Sequence, residues 1–506
     1  MHSVQLFNLT GTFTQFKRRL RLAIFLFSFT VLYFPLSANN VVVSNVSLQG
    51  QNATDNYSMI QFNVSWDNSW RVSAAPANWD AVWIFAKFRP RIGGEWKHCS
   101  FNWVNGSGTG DGHTVPSGAV ISSAQDATGI SRGVFMYASA TTGGNVSYTN
   151  ARLRWNYGAD GIGDDDSVEI SVFAIEMVYV PEGSFWVGGN ATTTAPLYKS
   201  PTNTDPFQIT SEDTIRCGQN TGNLRWITTT SQPTATLPAA FPKGFRAFYC
   251  MKYELTQDMF VAFLNHIPAA YATSRNVNPT YPRNNITVSS GVYSTSRPFV
   301  PVAGMPANEL LSFLDWAALR PMTELEYEKA CRGPVYPVAE EYAWGTALVA
   351  TAAYTYSNLG NNNEAIATNY STAANTGNAI IGAAVGSLGG PARSGIFAAH
   401  GSNNGRLTSG ATYYGIMEMT GNLYETVVNL ETAIGRSYDG LNGDGVLNLS
   451  GLYNTANWGT CSDYRVKGGS FATPGTSVSN RISINNAGAN PCLGYTFGIR
   501  GVRNAP

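Results

Sequence analysis

Between residues 39 and 172 six short runs, VVVSNVSLQG, MIQFNVSWDNSW, AVWIFAKFR, GVFMYASAT, ARLRWNYG and SVEISVFAI, are separated by clusters of Gly, Asn, Asp and Pro. Each is rich in Val, Ile, Phe, Tyr or Trp, and several alternate apolar with polar residues, the period of a strand with one buried face. The spacing predicts antiparallel strands, and an all-β sandwich is the architecture it favours. Trp66, Trp70, Trp79, Trp83 and Trp96 concentrate in this region. Indoles at alternating strand positions are expected in the core rather than on a carbohydrate-binding face.

The whole chain of 506 residues is long enough for two or three domains. Charged residues make up only 13%, with Gly, Asn, Ser, Thr and aromatics abundant, which argues against a helical bundle or an acidic disordered chain. Formal net charge is zero and no Lys/Arg stripe follows the N-terminus, so nucleic acid is not an expected partner.

Near the N-terminus Lys17, Arg18, Arg19 and Arg21 precede the apolar run LAIFLFSFTVLYF at 22–34, and PLSA then offers small residues for cleavage near Ala38. This is the pattern of a signal peptide over 1–38. The run falls short of the ~20 apolar residues a spanning helix needs, so no membrane span is expected after cleavage. Cleavage removes four of the 32 basic residues and none of the 32 acidic ones, leaving a net charge of −4. The expected location is exported: periplasmic, outer-surface or secreted, in a bacterium.

The remaining two-thirds carries five ordered blocks: MVYVPEGSFWVGG at 177–189, FYCMKYELTQDMFVAFLN at 248–265, RPMTELEYEKACRG at 320–333, YYGIMEMTGNLYE at 413–425, and RVKGGSFATPGTSVSNRISINN followed by GYTFGIRGVRNA. The second predicts a helix capped by Thr256, with Leu255, Met259, Phe263 and Leu264 on one face. The third predicts a capping box between Thr323 and Glu326 and a stop at Gly333. Glu324, Glu326 and Glu328 then read as helix-start chemistry rather than as general acids or bases. Residues 345–412, poor in large apolar side chains, predict long ordered loops.

In this order the blocks resemble the formylglycine-generating enzyme family, also known as sulfatase-modifying factors. The resemblance implies an α+β, C-type-lectin-like fold with long loops over 173–506, preceded by the β-sandwich domain at 39–172 and the signal peptide at 1–38. Family enzymes follow their GGS-aromatic element with two cysteines that bind copper, the first two residues after the aromatic and the second five residues later. Counting from Phe471, those positions hold Thr473 and Val478. Thiolates select cuprous copper, a Thr hydroxyl is a poor ligand for it and a Val methyl is none, so copper is not expected.

The resemblance also implies a structural Ca²⁺ bound by the GN-x-x-E element, here Gly421, Asn422, Leu423 and Glu425, because hard oxygen ligands from one turn suit that ion. GIGDDDS at 161–167 and DGLNGDGVLN at 439–448 are read as turns. Six cysteines without a CxxC exclude zinc-ribbon and thioredoxin readings. Cys331 matches a family disulfide position, with Cys250 as a candidate partner, and Cys461 with Cys492 forms a second candidate pair. Arg481 and Arg500 are expected to pair with buried carboxylates.

The expected function is an exported non-enzymatic binding or structural protein on this scaffold, a cell-envelope component like family-related parts of gliding and type IX secretion machinery. Its partner would be a protein or a glycan. Two alternatives are an oxidase or protein-modifying enzyme with a different site, and a C-type-lectin-like receptor whose binding face lies at 472–492.

Overall fold

The computed structural model describes residues 40–91, 94–126, 128–189, 196–226, 231–275, 281–483 and 494–506. The expected signal peptide, residues 1–38, lies outside them. The elements that position the rest are β1 (Val42–Asn52), β2 (Tyr57–Arg71), β3 (Asp80–Pro90), β4 (Ala119–Gln125), β5 (Ser131–Ala138), β6 (Thr142–Trp155) and β7 (Val168–Val180). They continue with β8 (Phe248–Met251), α1 (Gln257–Asn265), α2 (Ala307–Trp316), β9 (Arg320–Pro321), α3 (Glu324–Arg332), β10 (Tyr424–Val428), β11 (Tyr464–Lys467), β12 (Ile482–Ser483), β13 (Phe497–Gly498) and β14 (Gly501–Asn504).

β1, β2 and β6 form a three-stranded antiparallel sheet. Strand β2 alternates as its sequence predicts: Ile60, Phe62, Val64 and Trp66 are buried and the residues between them are not. Those four pack with Val82, Ile84, Ala86 and Phe88 of β3 in one apolar core. Strand β3 itself is buried along nearly its whole length. The cause is its central place in an eight-stranded sheet of order β9-β14-β8-β7-β3-β5-β4, with Lys97–His98 added beside β3. The other side of β3, Ala81, Trp83 and Phe85, packs with Leu310, Phe313 and Leu314 of α2. A strand covered on both faces reads as a near-continuous apolar run, which AVWIFAKF is apart from Lys87.

The expected boundary at 172/173 falls inside β7, whose eleven consecutive pairs with β3 run from Val168 to Val178. Its far end also pairs with β8, from Met177 to Val180. One strand therefore joins the β-rich N-terminal region to the family-like region within a single sheet.

Trp66 and Trp83 are core residues as expected, each anchoring its indole N–H, on Asp80 Oδ2 (3.0 Å) and the Ala317 carbonyl (2.9 Å). Trp70, Trp79 and Trp96 are half-buried. Trp79 stacks on Tyr179 with ring centroids 3.9 Å apart. In the Asp-rich turn Gly163 N–H donates to Asp166 (2.7 Å), the side-chain closure of an ordinary turn.

Helix α1 is capped by Thr256, which accepts from Met259 N–H, and α3 has the complete Thr323/Glu326 capping box with Gly333 beyond it at φ 66°. The buried face of α1 is rotated from the expected one. Phe260 and Val261 point inward with Phe263 and Leu264, while Met259 is half-buried. Residues 345–412 hold short paired segments, one 3-10 turn (Gly382–Leu388) and one α-helical turn (Arg406–Ser409), folded around Trp344, Tyr354, Ile380 and Phe397.

Candidate functional site

Strand β11 is followed by Gly468 and Gly469, both at positive φ (86° and 82°). A Cβ on Gly468 would lie 2.6 Å from the Met419 carbonyl, so glycine is needed for conformation and for close approach alike. The turn that follows is closed by Thr473, whose hydroxyl accepts the Ser470 N–H (3.0 Å) and lies 3.1 Å from the Ser470 hydroxyl. Five residues on, Val478 is 1% exposed and packs with Tyr327, Ala330 and Cys331 of α3. The two positions counted from Phe471 thus serve a turn and a core.

Helix α3 shows what surrounds them. Glu324, Glu326 and Glu328 are fully buried, and each meets a cation, which for Glu324 and Glu328 comes from a distant part of the chain. Glu324 pairs with Arg481, Glu326 with Arg320 (2.6 Å), and Glu328 with both Lys467 and Arg332 (3.1 Å each). Burial by itself would raise the Glu324 carboxyl, but the Arg481 guanidinium holds it below the usual carboxylate range. Dipole and capping arguments explain Glu326 only in part and miss the ion pairs of Glu324 and Glu328. Their partners Arg481 and Lys467 lie 157 and 139 residues away, beyond any local pattern.

The four expected calcium residues come together in one turn leading into β10. Asn422, at φ 62°, accepts the Ala392 N–H on its side-chain oxygen (2.8 Å) and the Phe471 N–H on its carbonyl (2.8 Å). Its amide nitrogen donates to Glu254 Oε2 (2.5 Å), and the Leu423 N–H donates to the other oxygen of the same carboxylate (2.8 Å). Gly421 N–H donates to the Gly468 carbonyl (2.9 Å), which ties this turn to the glycine pair. Glu425 turns to Arg500, which it meets through Oε1, leaving Oε2 buried without a hydrogen-bond partner. Within this turn Glu425 Oε2 is thus the carboxylate oxygen left without a hydrogen-bond partner. Among the described residues no group of three His, Cys, Asp or Glu side chains has metal-binding geometry.

Glu254 and Glu418 join Glu425 around the same guanidinium. Burial raises all three carboxyls against the opposing pull of Arg500, and it brings Glu418 to about 7. Glu418 accepts the Gly395 N–H on one oxygen (2.8 Å) and leaves the other unpartnered. Neither Glu254 nor Glu418 stands out in the sequence. Glu254 sits just before a helix cap, where an acidic residue already has an explanation.

Arg481 and Arg500 do pair with buried carboxylates, as expected. The Cys250–Cys331 disulfide is a correction: both are free, buried thiols. They share one apolar cluster, but the Cys250 thiol is directed at the Met251 carbonyl (3.5 Å), whereas Cys331 lies beside the Tyr327 hydroxyl. Burial pushes the Cys331 thiol up to about 12, so it is inert at neutral pH. Cys461 is disulfide-bonded, and its candidate partner Cys492 lies outside the described residues.

Residues 169–505 match the sulfatase-modifying factor enzyme 1-like domain. The chain belongs to the sulfatase-modifying-factor family. No curated protein matches it. The matched span begins inside β7, so this family member has its first matched strand already paired with β3 from the preceding region.

Proposed function

We propose that this family member is an exported, non-enzymatic binding or structural protein that keeps the sulfatase-modifying-factor scaffold and has given up its oxidase chemistry. The observation that carries the reading is Val478, a hydrocarbon side chain packed into the core where the family resemblance calls for the second copper thiolate. Thr473, at the first position, spends its hydroxyl on closing a turn with Ser470. Neither group supplies the soft sulfur that holds cuprous copper. The scaffold would act at the bacterial cell envelope on a protein or glycan partner, in the manner of gliding and type IX secretion components. Export rests on the basic cluster and apolar run of residues 17–34.

The test is metal analysis of the mature protein, residues 39–506, coupled to oxygen uptake with a thiol reductant and a cysteine peptide bearing the sulfatase motif. No copper and no peptide oxidation is the expected result. Stoichiometric copper with conversion of the peptide cysteine to formylglycine would overturn it.

A further inference from the structure

Three buried lysines, Lys87, Lys243 and Lys329, form no ion pair among the described residues. Lys243 Nζ donates to two carbonyls, of Pro238 (2.6 Å) and Phe241 (3.0 Å), and Lys329 Nζ to those of Gly244 (2.5 Å) and Phe245 (3.1 Å). Lys87 has a single carbonyl, Gly445, at 2.8 Å. It also lines a cavity of about 360 Å³ between β3, the Trp96–His98 segment and the 445–449 turn. The rings of Trp316 and Phe85 lie 4.9 and 5.9 Å from its nitrogen, while Trp96 and Tyr271 line the same space.

We propose that this cavity is a covalent binding site for a small carbonyl compound, an aldehyde or ketone with an aromatic or apolar body, in which Lys87 Nζ is the nucleophile. The amine lone pair forms the new bond to the carbonyl carbon and the carbonyl oxygen takes up a proton. The resulting carbinolamine then loses that oxygen as water, with the remaining amine proton, to give an imine. One water leaves and no electron is transferred, so no oxidant or further reactant is required. The aromatic walls match the body of such a ligand, and with no ion-pairing carboxylate among the described residues the nitrogen is free to react.

The electrostatics agree with the geometry. Burial lowers the Lys87 amine to about 7, although Asp315, Cys99 and Asp444 pull it upward and Arg132 lowers it further. His98, on the strand segment beside it, is kept neutral by burial and by Lys87 itself. Asp315 on α2 is raised by burial to about 7, and its carboxylate already accepts the N–H groups of Asp444 (3.2 Å) and Asn454 (2.9 Å). A large part of the Lys87 amine is therefore unprotonated at neutral pH, against roughly one part in a thousand or less for an ordinary surface lysine.

The experiment treats the intact protein with benzaldehyde and cyanoborohydride at pH 7 and maps the benzylated lysines by peptide mass analysis over time. Lys87 should be modified about 100-fold faster than Lys199, an exposed lysine outside this cavity in the same molecule, with a rate that saturates as benzaldehyde is raised. The internal comparison needs no variant, and Lys87→Met serves as a second check by removing the fast phase. Modification of Lys87 no faster than Lys199 would overturn the proposal. So would a rate that stays linear in benzaldehyde, which describes a reactive amine without a binding site.

Discussion

The indole N–H of Trp83 donates to the carbonyl of Ala317, 2.9 Å away in space and 234 residues away in sequence. This bond crosses from the central strand β3 to the C-terminal end of α2, and Arg503 of β14 crosses in the opposite sense to the Ala124 carbonyl (3.2 Å). The β-rich N-terminal region and the family-like region should therefore melt as one cooperative unit. Trp83→Phe removes the donor, strands the Ala317 carbonyl and leaves a small void, at a cost of about 2 to 3 kcal/mol. Calorimetry should give a single transition at lower temperature. Two transitions, with only the first displaced, would mean that the regions fold independently.

Local patterns in the chain carried the features with local causes. The alternation of β2, the caps at Thr256 and Thr323 and the stop at Gly333 each need only a few neighbouring residues to be recognised. The double burial of β3 has a different cause, because α2 covers its second face from more than 200 residues away. The same limit applies to the site. Thr473 and Val478 were reached through the family resemblance, by counting from Phe471, whereas Glu254 and Glu418 join Glu425 only after three separate segments meet at Arg500. The cavity around Lys87 was equally hidden, since Gly445 approaches β3 across 358 positions.

Glu418 should make stability fall with rising pH. Its folded-state carboxyl lies at about 7, raised by burial, against about 4.3 for an unfolded glutamate. Between those values the native state holds more protons than the unfolded one, so stability is fully present at the acid end and is lost as pH climbs through 7. Glu418→Gln mimics the protonated form. Its melting temperature should match wild type at pH 4, below the unfolded value, and exceed it by several degrees at pH 8. An equal displacement at both pH values would show that the carboxyl does not titrate in this window.

Calcium should have little effect on the fold. Arg500 already neutralises Glu425, and both Asn422 oxygens are occupied by backbone N–H groups. Melting curves in millimolar CaCl₂ and in a chelator should therefore superimpose. A stabilisation of several degrees by CaCl₂, abolished in Glu425→Gln, would mean that Glu425 leaves Arg500 to bind the ion.

Arg481 is the most exacting test of the ion pairs around α3. Its guanidinium meets Glu324 and Glu431, the latter at 2.9 Å, and both Arg481 and Glu324 are buried. Arg481→Met fills much the same volume but leaves a buried carboxylate with the Leu430 N–H (2.9 Å) as its remaining close partner. Breaking a buried pair from one side costs about 3 to 5 kcal/mol, whereas replacing both members with neutral groups of similar volume costs far less. Urea titration should show that loss for Arg481→Met and recovery of at least half of it in the double variant Arg481→Met/Glu324→Gln. Because Arg481 holds the Glu324 carboxyl down, its contribution is present above the unfolded glutamate pKa and disappears as pH falls through the lower folded value. The gap between wild type and Arg481→Met should accordingly narrow in acid. A gap independent of pH, or a double variant no better than the single one, would assign the loss to packing rather than to the stranded charge.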